Sequence, residues 1–175
     1  MTKMADTIPT YRLLSAPFGE LLAVVADGKL LALRFETEGE AFEIDPSWSD
    51  TAKAVDRELL DRVERELDEY YTGRRRDFDL PLDPEGTDFQ HRVWDELIRI
   101  EWGETISYGE LAARIGKPTA SRAVGAANGK NPIPIVIPCH RVIGSAGKLT
   151  GFGGGLPIKE ALLGIEGHQR SFGFS

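Results

Sequence analysis

The sequence predicts a mixed α/β chain of the α+β kind, with a small antiparallel sheet and one helix first and a mostly helical unit after it. Three observations lead there. Short runs of β-forming residues joined by a turn fill residues 10–36, a long stretch of helical spacing follows, and beyond residue 86 further helical patterns are cut by glycines. With 175 residues, 41% hydrophobic and 28% charged, the chain can bury one sizeable core or two small ones. That burial is enough to offset the entropy of ordering.

The strands are read at Tyr11–Leu14, Leu21–Ala26 and Leu30–Phe35, with Asp27-Gly28-Lys29 turning the last two into a hairpin. The acidic stretch 36–50 reads as a loop. From Ser49 the spacing becomes helical, with Val55, Leu59, Leu60, Val63, Leu67 and Tyr70 on one face, and Gly73 ends the helix. Arg74 to Gly86 reads as a connection, so we divide the chain near residue 80 into units 1–80 and 81–175.

The second unit opens with a helix from Asp88 to about Ile100, carrying Phe89, Val93, Trp94, Leu97 and Ile98 at helical intervals, and Gly103 breaks it. Ser107 and Glu110 have the form of a capping box for a helix from Tyr108 to Ile115, stopped by Gly116. After the turn Lys117–Ala120, helical spacing resumes from Ser121 to Asn128. Two short helices across a turn of about four residues outline a helix-turn-helix. The second helix is built from small residues: Ala123, Gly125, Ala126 and Ala127 beside a single Arg122. Two readings fit: close approach to a minor groove with Arg122 as a probe into the base stack, or tight packing against a neighbouring helix.

Charge is divided unevenly. The net charge of −7 argues against a nucleic-acid binder. The acidity, however, lies in residues 1–85, with 20 acidic against 11 basic side chains. Between Glu110 and Glu160 no acid occurs, while Arg114, Lys117, Arg122, Lys130, Arg141, Lys148 and Lys159 all do. Such an interval suits a polyanion. No apolar run approaches the roughly 18 residues that cross a bilayer, and Met1–Asp6 lacks the apolar block of a signal peptide, so a cytoplasmic location is expected. The single cysteine and three histidines cannot build a thiolate-rich zinc site, and no metal is expected.

That cysteine, Cys139, follows an apolar, proline-punctuated run, Asn131–Pro138, which reads as extended and buried. A core thiol has no use for His140 and Arg141 immediately after it, whereas a reactive one needs a base and positive surroundings to hold its thiolate. Neighbouring residues do not face each other, so a bridging water is the expected link between thiol and imidazole. The imidazole in turn needs an orienting carboxylate. Of the acids that follow, Glu160 and Glu166 qualify, the latter at the end of a helix from Ile158 to Gly167.

Pro138-Cys139-His140-Arg141-Val142, with Arg122–Ala127 and Asn131-Pro132 before it and Gly151–Gly155 and Lys159–Leu163 after it, resembles the O6-alkylguanine-DNA alkyltransferases, also called methylated-DNA–protein-cysteine methyltransferases. The match is ungapped from about Phe89 to Gly167. Residues 1–80 resemble that family's ribonuclease H-like N-terminal domain in length and strand pattern, and residues 81–175 its winged helix-turn-helix-like domain. The resemblance implies irreversible transfer of an alkyl group from O6 of guanine to the protein's own cysteine, with double-stranded DNA as partner and no cofactor; transfer from O4 of alkylthymine is left open.

It also implies roles. Cys139 is the nucleophile, His140 its base through a water, and Glu166 orients the histidine. Tyr108 crowds the target phosphate and gives a proton to departing guanine, Arg122 replaces the extruded base, and Asn131 ties the recognition helix to the thiol. Ala120, Ser121, Ala123, Gly125 and Ala126 line the DNA face. Carbonyls of Cys139 and Val142, with the backbone around Gly153, read the flipped base. Phe152 stands where many members have tyrosine and Gly153 where some have serine, each losing a hydroxyl. The chain is expected to act as a monomer, with cooperative binding along DNA left open. Rival readings are a lesion sensor without chemistry, a helix-turn-helix regulator and a multiple-turnover cysteine hydrolase.

Overall fold

The structure, a computed structural model, describes residues 7–36, 40–51, 53–144, 147 and 149–168. Met1–Asp6 and Lys148, on which two of the sequence readings rest, lie outside the described residues. The chain divides into two compact units, 1–84 and 85–175. Among the described residues no helix is long and apolar enough to cross a membrane.

In the first unit, strands β1 (Thr10–Ala16), β2 (Gly19–Ala26) and β3 (Lys29–Phe35) form an antiparallel sheet in that order. The hairpin between β2 and β3 turns on Asp27 and Gly28, both at positive φ (49° and 72°), the conformation that an Asp-Gly pair adopts most cheaply. Central β2 is buried continuously from Leu21 to Ala26, so it shows an unbroken apolar run rather than alternation. Each edge strand is tied at one point by an isolated parallel bridge, Thr10 with Ser49 and Leu30 with Leu82. Ser49 exchanges backbone hydrogen bonds with Tyr11 and Pro9, and Leu30 does so with Pro81 and Asp83.

Helix α1 (Ala54–Tyr71) packs on the sheet through Leu59, Leu60, Val63, Leu67 and Tyr70. It begins at Ala54 and not near Ser49, because Ser49 is engaged with β1. Val55, expected on the apolar face, is 52% exposed. Its neighbour Asp56 is buried instead and accepts the Gly28 N–H at 2.8 Å, tying the hairpin turn to the helix.

In the second unit, α2 (Asp88–Ile98) is opened by a full capping box between Thr87 and Gln90. Ile98 is 48% exposed, and Ile100, beyond the helix end, is buried in its place. Strand β4 (Ile106–Ser107) runs into α3 (Tyr108–Arg114), and α4 (Ser121–Gly129) follows after a turn where Gly116 takes φ of 76°. Only half of the expected Ser107 box forms. Ser107 Oγ accepts the Glu110 N–H, but the Glu110 carboxylate turns to Arg114. A single 3-10 turn (Cys139–Arg141) leads into β5 (Val142–Ile143), which pairs in parallel with β4, and α5 (Leu156–Ile165) completes the unit.

Trp94 on α2 anchors α4, since its indole N–H donates to the Ala127 carbonyl at 2.9 Å. Gly86 lies close to the same ring, and a Cβ there would sit 2.4 Å from it. Gly86→Ala is therefore expected to destabilise the protein by about 1–3 kcal/mol, read from the urea midpoint against wild type.

Candidate active site and nucleic-acid interface

The segment before the thiol is not the extended strand that its apolar run suggests. Pro132, Pro134 and Pro138 supply no N–H for a ladder, and the chain folds into a compact turn. Ile137 N donates to the Ile133 carbonyl at 2.9 Å, and Ile135 is held at φ of 74°, a costly place for a β-branched residue. Asn131 closes the turn at both ends. Its Oδ1 accepts the Ile133 N–H at 3.0 Å and its Nδ2 donates to the Ile137 carbonyl at 2.7 Å. Pro138, at φ −80° and ψ 64°, makes an inverse γ-turn closed by Cys139 N to the Ile137 carbonyl at 2.8 Å.

Cys139, His140 and Arg141 are all buried. The 3-10 turn sends the last two side chains to one carboxylate, Glu166, which caps the C-terminus of α5. His140 Nε2 lies 2.7 Å from Glu166 Oε1, and Arg141 binds both carboxylate oxygens in a fork, at 2.8 and 2.9 Å. A further Arg141 nitrogen donates to the Ile100 carbonyl. His140 Nδ1 is buried with no hydrogen-bond partner among the described residues. Lys159, fully buried on α5, donates to the carbonyls of Val142 at 2.6 Å and Thr150 at 2.9 Å. Asn128, on the buried side of α4, approaches the Cys139 carbonyl at 3.5 Å.

These contacts set the protonation states. Burial raises Glu166, but the hydrogen bonds and charges of His140 and Arg141 outweigh it and hold the carboxyl at about 2. His140 is pushed below its ordinary value, chiefly by burial. With Glu166 ionised, Nε2 carries the imidazole proton and Nδ1 presents a lone pair. Burial also drives Lys159 down to about 8. The thiol departs from expectation. Burial raises Cys139 to about 11, and the pull of Asn131 and the Lys159 charge only moderates this. The resting group is thus a neutral thiol.

The helix-turn-helix face is built as its small residues suggest. Val124, Ala127 and Asn128 are buried, while Arg122, Ala123 and Ala126 are exposed and Ala120, Ser121 and Gly125 half-buried. The Tyr108 ring passes close to α4, since a Cβ on Gly125 would lie 3.6 Å from it. Tyr108 OH accepts from Thr150 Oγ at 3.3 Å. Phe152 is half-buried and Gly153 exposed on the segment leading to α5.

The basic interval does not act as one patch. Arg141 and Lys159 are buried, Arg114 pairs with Glu104 at 2.7 Å and Glu110 at 3.3 Å, and Lys117, Arg122 and Lys130 are exposed. The sequence reading makes Arg141 part of the positive surroundings of the thiol, whereas its guanidinium clasps Glu166; Lys159 and Thr150 carry no site role in that reading. A charge count cannot distinguish a cation facing solvent from one clasping a buried carboxylate or carbonyl. Among the described residues no three His, Cys, Asp or Glu side chains gather into a metal-binding group.

A buried thiol beside a carboxylate-held imidazole, behind a helix-turn-helix with a smooth second helix, defines a DNA-acting cysteine protein. The chain belongs to the 6-O-methylguanine DNA methyltransferase family: residues 88–168 match its DNA-binding domain and residues 10–84 its ribonuclease-like domain. It is 45% identical over 157 residues to the methylated-DNA–protein-cysteine methyltransferase of Methanosarcina acetivorans, covering 90% of this chain and 97% of the relative. It resembles the crystal structure of Mycobacterium tuberculosis O6-methylguanine methyltransferase, with TM-score 0.78, 45% identity, and 91% and 93% of the two chains covered. The M. tuberculosis protein OGT in complex with DNA matches with TM-score 0.77 and 44% identity over 90% and 92%.

Because Glu166 is depressed in the folded state, from 4.5 to about 2, its contribution to stability is complete above the unfolded value and is lost as pH falls through that window. Glu166→Gln is expected to flatten the acid limb of the stability profile. At neutral pH it should cost about 3–5 kcal/mol, because Arg141 is left buried without its anion. Chemical denaturation from pH 7 down to pH 2 measures both.

Proposed function

We propose that the chain repairs alkylated double-stranded DNA directly, moving the alkyl group from O6 of guanine irreversibly to Cys139. The observation that carries this reading is the buried Cys139–His140–Glu166 arrangement, with Nδ1 of a neutral imidazole unengaged, adjoining the turn that Asn131 hangs from the end of α4.

His140 takes the thiol proton through a water, Glu166 steadies the resulting imidazolium, and sulfur displaces guanine at the alkyl carbon. The S–C bond forms as the C–O6 bond breaks, and the bonding pair leaves with the base. Tyr108 gives that base a proton, and the proton held by His140 makes good the loss, so thiol and alkylguanine become thioether and guanine. A thioether is stable to water, and among the described residues no second nucleophile is set to cleave it, so each molecule reacts once, and the reaction draws on no cofactor.

A stacked base cannot reach a thiol that is 5% exposed, so the nucleotide must leave the helix, at a cost of a few kcal/mol. Arg122, on the exposed face of α4, fills the gap in the stack. Ala120, Ser121, Ala123, Gly125 and Ala126 permit close approach to the minor groove, and Lys117 and Lys130 flank them as phosphate contacts. The carbonyls of Cys139 and Val142 and the backbone at Gly153 read the flipped base beside Phe152. The protein acts as a monomer, and its reactive free thiol suits the reducing cytosol. A sensor without chemistry is disfavoured, because such a protein has no need of a thiol with a base in place.

Two measurements test the reading. Mixed with duplex carrying O6-methylguanine, the wild-type protein gains the mass of one methyl group at Cys139. Cys139→Ser is expected to bind that duplex and gain none, a hydroxyl being far harder to ionise than a thiol; methyl transfer by that variant overturns the mechanism. Arg122→Ala is expected to slow transfer from duplex at least tenfold, while reaction with free O6-benzylguanine, which needs no extrusion, changes little. Equal losses with both substrates remove the assigned role.

A further inference from the structure

Thr150 carries a hydroxyl for which the reaction above provides no use. It is half-buried, and its Oγ lies 3.3 Å from the phenol oxygen of Tyr108. Its backbone is not free to drift, because its carbonyl accepts from the buried Lys159 ammonium, which at the same time grips the Val142 carbonyl. One lysine therefore fixes the positions of both Val142, on the segment that carries the thiol, and Thr150, beside Tyr108. Phe152 and Gly153, nearby in sequence, bring no hydroxyl of their own. Thr150 and Tyr108 are left as a directly bonded hydroxyl pair.

We propose that Thr150 is a positioning residue for proton transfer by Tyr108. When the phenol directs its proton at departing guanine, its oxygen can only accept from Thr150, so the threonine donates. That hydrogen bond does two things. It turns the phenol proton away from Thr150 and toward the base, and it strengthens as negative charge builds on the phenol oxygen during transfer. No bond to the threonine is made or broken: the proton passes from Tyr108 to guanine, and the Thr150 hydroxyl stays intact. The inference rests on the reading of Tyr108 as the proton donor, and the experiment separates the two.

Single-turnover methyl transfer from O6-methylguanine duplex is followed by rapid quench in wild type, Thr150→Val, Thr150→Ser, Tyr108→Phe and the Tyr108→Phe/Thr150→Val double variant. Thr150→Val keeps the shape and removes the hydroxyl, and it is expected to slow transfer about tenfold, the scale of one charge-assisted hydrogen bond. Thr150→Ser restores the rate to within about twofold, and Thr150→Val adds nothing once Tyr108 is phenylalanine. Alkylation of Cys139 by iodoacetamide, which needs no proton donor of this kind, is unchanged by Thr150→Val.

If Thr150→Val slows the Tyr108→Phe protein as much as it slows wild type, or depresses iodoacetamide alkylation equally, Thr150 is only part of the wall and the proposal is overturned. A wild-type rate for Thr150→Val overturns it as well. If Tyr108→Phe itself transfers at full speed, the assignment of the phenol falls first and Thr150 falls with it.

Discussion

One buried anion organises the reactive end of this protein. Glu166 receives a forked pair of bonds from Arg141 and one from His140, so each of the three buried groups has a partner of suitable charge or polarity. An isolated carboxylate or guanidinium taken from water costs several kcal/mol. Together they neutralise one another, and the carboxylate stays ionised at any pH the protein meets. A permanently ionised Glu166 fixes the imidazole tautomer, which is what leaves Nδ1 with a lone pair. The residue that carries this carboxylate ends α5, its backbone N–H donating to the carbonyls of Leu162 and Gly164, and Arg141 reaches on to the Ile100 carbonyl beyond the end of α2. The helices on either side of the reactive turn are thereby held to it by charge-assisted bonds.

How much of this is legible in the chain depends on whether a feature is local. The strands and the Asp27-Gly28 turn follow from residue type alone, and so does the smooth face of α4. Helical spacing shows that an apolar arc exists but not how far around the helix the core extends, which is why Val55 and Ile98 come out exposed while Asp56 and Ile100 are buried. The run Asn131–Pro138 misleads for a related reason. An unbroken apolar run punctuated by prolines reads as extended and buried, yet prolines without N–H groups and a side chain such as Asn131, able to close a turn at both ends, favour the compact alternative.

The site was legible in kind but not in its connections. The thiol, the histidine and their adjacency stand in the sequence, whereas the choice of Glu166 over Glu160 came from resemblance to a family and not from spacing. Arg141 and Lys159 were counted with the cations of a DNA-facing interval because formal charge carries no information about burial. Both instead brace the segments around the thiol, one through a carboxylate and one through backbone carbonyls. The contacts available to phosphate are fewer than the seven cations suggest, with Lys117, Arg122 and Lys130 prominent among those described.

The same burial that makes the thiol a poor resting nucleophile fits a protein that can react only once. With burial pushing Cys139 up to about 11, the resting thiol keeps its proton at neutral pH, and a protonated thiol is a weak nucleophile. The neutral His140 and the Lys159 charge are in place, and on the proposed reading they suffice only once an alkylated base is seated beside the thiol with a proton donor for the departing guanine. Reactivity is then assembled by the substrate. For a molecule consumed by its own reaction, withholding the thiolate until the lesion is seated preserves more of the population for repair than a permanently ionised cysteine would.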